Sequence, residues 1–290
     1  MSTYNLPRRV WRAIYPALLY LAITFLVPMI ISMFYGGSLG AQAAANGGVV
    51  DQNELTQKLT DFLTGKIMQI ALAGYIVSAL LFSPMWRITK KKYKRWNGGG
   101  FSIVAALLVI GAGIGVNLLL SAIIDITKLT EYFESYSQIT EFITSGSFII
   151  QLITVGIVAP VAEELCFRGV TLNRMSNIKI WAAVAIQAVI FGAFHLNLLQ
   201  GLYAALIGVF LGFLVTRFRS LTYAVIAHIA FNSFTVLAGN LLPDTDIPTL
   251  VMLLLGIILT AGCILGLLKC KRPPEPVVDE EIIEPIEVIV

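Results

Sequence analysis

Apolar runs of about 20 residues, each long enough to carry a helix through a bilayer, recur along the whole chain. They fall at roughly 12–34, 67–86, 101–124, 147–174, 180–196, 200–216, 221–240 and 248–268. A backbone in lipid must satisfy its own amide groups, and runs this evenly apolar do so as helices, not as alternating barrel strands. The expected fold class is therefore all-α, a polytopic membrane helix bundle of about eight transmembrane helices. Composition agrees: 57% of the 290 residues are hydrophobic and 13% charged, against ~45–50% and ~25% in soluble domains. That balance excludes an ordinary soluble protein, a disordered chain and a basic nucleic-acid-binding domain. The lipid bilayer is the first partner expected, and no nucleic acid is.

Lys and Arg sort by side. With a cytoplasmic N-terminus, Arg8, Arg9 and Arg12, the cluster from Arg87 to Arg95, Arg174 and Lys179, Arg217 and Arg219, and Lys269, Lys271 and Arg272 all lie inside. Only Lys58, Lys66 and Lys128 lie outside. This is the asymmetry of the positive-inside rule, and it places both termini in the cytoplasm. The expected setting is a multi-pass protein of a prokaryotic plasma membrane. The first run exceeds the ~7–15 residues of a signal-peptide core and reads as an uncleaved helix. Cys166, Cys263 and Cys270 lie in or beside spans, which argues against a disulfide framework.

The chain divides into an N-terminal part, 1–146, with helices 1–3 and outer loops; a central part, 147–240, with helices 4–7; a last helix within 241–272; and an acidic tail, 273–290. The tail mixes Pro with acids and reads as a disordered cytoplasmic extension. Segment 35–66 reads as an outer loop with a short interfacial helix. Gly111 and Gly115, Gly208 and Gly212, and Gly262 and Gly266 recur at four-residue spacing, as expected where helix backbones approach closely in lipid.

Most charges set topology or decorate loops. Glu163 and Glu164 do not: they stand side by side in the fourth apolar run, where an ionised carboxylate costs at least ~2.5–3.5 kcal/mol. Arg168, four residues after Glu164, can pair with it across one helical turn. Glu163 points about 100° away around the helix and is the freer carboxylate, suited to a general base. The chain's two histidines also fall in apolar runs. His195 closes Phe191-Gly192-Ala193-Phe194-His195, and His228 shares a helix face with Asn232 one turn later. Counted from the basic ends near Met175, Ile180 and Leu221, Glu163 lies 12 residues in, His195 15 and His228 7. At 1.5 Å per residue these are depths of about 18, 22 and 10 Å. A shared intramembrane site is geometrically allowed. Gln187 and Asn173 are expected to pack or cap, and Cys166 to be a small buried thiol.

Glu-Glu-x-x-x-Arg on one helix, Phe-x-x-x-His on the next and His-x-x-x-Asn on a later one, within 147–240, resemble the CPBP family of CAAX proteases and bacteriocin-processing (Abi) enzymes. The resemblance implies an intramembrane endopeptidase acting on a peptide or membrane-tethered protein substrate, prenylated CaaX-type peptides among them. It also implies the roles: Glu163 activates the attacking water with His195, His228 and Asn232 stabilise the oxyanion, and Glu164 and Arg168 hold the helix in shape. Elementary chemistry is consistent, since peptide hydrolysis needs a base beside a water and donors aimed at the developing charge. Glu163, His195 and His228 are also a donor set that Zn²⁺ accepts, and the family is often labelled metalloprotease. Asn232 suits an oxyanion hole better than a zinc shell, so metal-free action is the favoured expectation. Two other classes stay open on the residues alone: a proton-coupled transporter, which would use the same buried carboxylates, and a non-catalytic immunity or scaffold protein.

Overall fold

The computed structural model describes residues 6–46, 51–93, 100–133, 146–175, 178–242 and 247–274. Two sequence-based expectations lie outside these residues: the tail from residue 275 on, and the placements of Lys94 and Arg95. Every regular element among the described residues is helical: α1 (Leu6–Ala45), α2 (Gln52–Tyr93), α3 (Ile103–Thr127), a single turn α4 (Leu129–Tyr132), α5 (Phe148–Leu172), α6 (Ile180–Phe194), α7 (Leu198–Phe218), α8 (Leu221–Leu241) and α9 (Thr249–Lys269). Seven of them are long and apolar enough to cross a membrane, so the all-α membrane bundle is the observed architecture.

Two expectations are corrected. Segment 35–66 is not a loop with a short interfacial helix: α1 runs on to Ala45 and α2 starts at Gln52. The two extensions touch through Tyr35 and Phe62, whose rings stack at 3.8 Å. Gly36, Gly37 and Gly40 lie within α1 and do not end it. The fifth expected span, 180–196, is also short. α6 has 15 residues, or about 22 Å of helix, and ends inside the bundle. His195 is therefore its C-cap, not a residue within a span. Leu196 follows at φ 54°, a conformation that costs a bulky residue of order 1–3 kcal/mol. Asn197 then opens α7 by accepting the Gln200 N–H on its side-chain oxygen at 3.0 Å.

Small residues do join the helices, as the spacing predicted. A Cβ on Gly111 would lie 2.7 Å from Cys263 Sγ, and one on Gly115 2.7 Å from the Thr260 nitrogen, so α3 and α9 lie backbone to backbone. Gly208 and Gly212 do the same for α7 against Ala188 and Val184 of α6, and Gly266 meets Leu108 at 3.0 Å. Gly262 is the exception, with nothing within 4 Å.

α5 is the most enclosed helix and the least regular. Its turns are wide, with i to i+5 spacing, over Leu152–Val158 and Leu165–Leu172, on either side of a tight stretch Ala159–Glu164 that holds Pro160. Proline has no N–H to return to the preceding turn, so one carbonyl of that turn, Val155 or Gly156, loses its donor. α8 supplies donors to both: Asn232 Nδ2 donates to Val155 O at 3.0 Å and Ser233 Oγ to Gly156 O at 3.2 Å. Gly156 also admits this close approach, since a Cβ there would sit 2.8 Å from Ser233 Oγ. Side-chain hydrogen bonds to freed carbonyls are what makes a proline tolerable in a membrane helix.

Candidate active site

The proline-centred stretch of α5 sets the positions of the two glutamates. Glu164 is fully buried and takes two donors on one oxygen: Arg168 Nη1 at 2.6 Å and His228 Nδ1 at 2.9 Å. The Arg168 pair is the one expected from the four-residue spacing. The guanidinium carbon also lies 4.3 Å from the centre of the Phe191 ring, a contact that favours a desolvated cation. Glu163 turns the other way. It lines a cavity of about 560 Å³, and its Oε2 lies 3.7 Å from His228 Nε2. Adjacent residues on one helix thus divide between a sealed ion pair and an open pocket.

The same cavity is lined by His195, His228 and Asn232. All four residues proposed from the sequence as catalytic converge on it, drawn from α5, the α6–α7 corner and α8. Glu164 and Arg168 are not among its lining residues. They stand behind His228 and hold it.

The two imidazoles are oriented differently. His195 Nδ1 lies 2.8 Å from the Phe191 carbonyl oxygen. A carbonyl only accepts, so Nδ1 carries the hydrogen, and a neutral ring leaves Nε2 as an acceptor. His228 has its Nδ1 on Glu164, so that nitrogen is a donor, and its Nε2 faces Glu163. Phe191 sets both rings: it meets His195 edge-on at 4.9 Å and His228 at 6.0 Å. Asn232 is partly committed. One of its two amide hydrogens goes to Val155 O, leaving the other for a ligand in the cavity.

Sequence reasoning missed several walls of the site. Tyr75 of α2, Asn117 of α3 and Tyr203 of α7 line the cavity. Asn117 Nδ2 donates to Phe231 O at 3.1 Å and to Thr235 Oγ1 at 2.6 Å, fastening α3 to the helix that carries His228. No spacing marks these residues. The available signal was a polar group within an apolar run, which α2, α3 and α7 each contain. Phe191 was visible as the first residue of Phe-x-x-x-His, although its contact with Arg168 was not. Asn173 caps, donating to Gly169 O at 2.7 Å, and Cys166 is buried with its Sγ 3.5 Å from Pro16 O.

The metal expectation does not fit this geometry. Among the described residues, no group of three or more His, Cys, Asp and Glu side chains is placed to hold one ion. Glu163, His195 and His228 line one cavity, and each histidine has its Nδ1 on Phe191 O or Glu164. No step below is routed through a metal.

Comparison with known proteins reaches the same stretch. Residues 145–234 match the family model described as Type II CAAX prenyl endopeptidase Rce1-like. Searches of curated proteins and of solved structures returned no match. The matched segment begins just before α5 and ends two residues after Asn232, so it holds every residue of the cluster. The chain therefore carries a domain of a protease family.

Proposed function

Taking that protease domain as the premise, we propose that the chain is an intramembrane endopeptidase in which Glu163 activates a water for attack on a peptide carbonyl. The observation that carries this reading is the division of labour between the glutamates: Glu164 is consumed by Arg168 and His228, whereas Glu163 opens onto the cavity. A carboxylate facing a cavity that an imidazole also lines is the arrangement general-base hydrolysis needs. His195 presents Nε2 to the same space and orients or shares the water's proton.

The oxyanion falls to His228 and Asn232. His228 is locked through Nδ1 and can aim its Nε2 hydrogen into the cavity, and Asn232 retains one amide hydrogen. Fixed donors in a water-poor site stabilise developing charge without reorganising, which is where most of such catalysis arises. Glu164 and Arg168 act through His228 as positioning residues.

The substrate is a hydrophobic or membrane-tethered peptide, entering a cavity whose walls include Phe25, Phe194 and Phe231. Prenylated CaaX-type peptides, which the matched family's description names, are one member of that class. The arrangement of Lys and Arg supports a bundle with both termini in the cytoplasm and the basic ends of α2, α5 and α7 on that side.

The test is cleavage. Purified full-length protein is incubated with prenylated CaaX peptides and a mixed membrane-peptide library, and products are compared by mass spectrometry with those of Glu163→Gln. Products from the wild type that the folded variant fails to make support the reading; identical product sets from both overturn it.

A further inference from the structure

A second, smaller pocket of about 90 Å³ lies where α2 and α5 end and α7 turns into α8. Its walls are Trp86 and Lys90 of α2, Arg168, Gly169 and Asn173 at the end of α5, and Val215 and Arg219 to Thr222 around the turn. The charged side chains lining it, Lys90, Arg168 and Arg219, are all cationic, and none of the lining residues is a carboxylate. Each is anchored. Lys90 Nζ sits 5.4 Å over the Trp86 ring, which packs against α5 because Gly169 has no Cβ to hold it off. Arg219 donates through Nη1 to Pro274 O at 2.8 Å.

Arg168 is the decisive member. It has 0% of its surface exposed, and only its Nη1 reaches Glu164. Nε and Nη2 have no hydrogen-bond acceptor among the described residues. Two buried donors of a residue that lines the pocket thus lack an acceptor, and buried guanidinium donors call for one. The pocket also receives the start of α8, a 21-residue helix whose first turn follows the Ser220 cap. A helix N-terminus adds free N–H groups and a positive field. The one buried acceptor lacking a donor there, Asn173 Oδ1, suits a ligand that also bears a hydroxyl. The volume holds a few waters or one tetrahedral oxyanion, not a nucleotide.

We infer that this pocket is a binding site for a phosphate group, supplied by the headgroup of an anionic membrane lipid or by free hydrogen phosphate. One of its walls is Arg168, whose Nη1 holds Glu164 and, through it, His228. An oxyanion seated there fixes Arg168 and clamps α2 to the α7–α8 turn. The site stands whether or not Glu163 cleaves peptides, so it is tested by binding.

Full-length protein in neutral detergent is unfolded thermally with inorganic phosphate and with chloride at equal ionic strength. Lipid retention is measured by native mass spectrometry with phosphatidylglycerol against phosphatidylcholine. The variants are Lys90→Glu and Thr222→Asp, each placing a negative charge at the rim, with Lys58→Glu at the opposite end of α2 as the charge-matched control. Stabilisation by phosphate over chloride, or preferential retention of phosphatidylglycerol, that weakens by about tenfold in either rim variant and not in the control supports the site. A response to the lipid alone assigns the headgroup as the source, and one to inorganic phosphate alone assigns a soluble oxyanion. The inference is overturned by no preference for either ligand, or by a preference that the rim variants leave intact or that Lys58→Glu abolishes equally.

Discussion

α5 and α9 are both lipid-length helices, yet they answer to different solvents. Half of the most apolar stretch of α5 is buried in the protein, against 11% for α9. α9 meets lipid with Leu250, Leu254, Ile258 and Leu265, each at least half exposed, carries no charge until Lys269, and is regular throughout. α5 holds Glu163, Glu164 and Arg168 in its interior and is distorted on both sides of Pro160. The more apolar helix is thus the outer one. A helix surrounded by other helices can carry ionised groups because its neighbours, here Phe191 and His228, supply the partners that lipid cannot.

Substitutions can break that contrast, and the largest effect is expected in the cavity. Glu163→Gln keeps the shape of the side chain and removes the base, so cleavage should fall by ~10²–10⁴-fold with little change in thermal unfolding; a comparable loss of stability would mean Glu163 is structural. Arg168→Met should do the reverse. It strands the carboxylate of Glu164 in a sealed site and should cost about 3–5 kcal/mol, read as a lowered unfolding midpoint in detergent. Gly256→Leu tests the close face of α9, where a Cβ would lie 2.6 Å from the Leu119 nitrogen; overpacking of this kind costs ~1–3 kcal/mol. Leu254→Ala on the lipid face of α9 should change stability by less than about 0.5 kcal/mol. If it matched Gly256→Leu, the outer face would be packed against something.

The sequence conveyed the bundle well because lipid imposes one rule on every residue it touches. Apolar length located the helices, and rarity of charge pointed to Glu163, Glu164 and Arg168. What remained hidden depended on contacts between helices. The run at 180–196 looked long enough to span because the apolar pattern continues at Leu196, past the α6 C-cap, and the Leu196 turn leaves no mark in hydropathy. Segment 35–66 reads as a loop by its glycines, but Gly36, Gly37 and Gly40 lie within α1. Asn232 was legible as a site residue, while its bond to Val155 follows from Pro160, a residue 72 positions earlier in the chain.

The gap that Pro160 leaves in α5 also bears on how the protein is made. The carbonyls of Val155 and Gly156 and the carboxylate of Glu164 are completed by residues of α8, which the ribosome delivers more than 60 residues later. Until that helix docks, α5 is an imperfect membrane segment with unmet polar groups, held by Arg168 alone. Maturation of the cavity is therefore tied to completion of the core: a chain arrested before Leu221 would carry Glu163 and Glu164 without His228 and Asn232, and the cavity would take its shape only as the bundle closes.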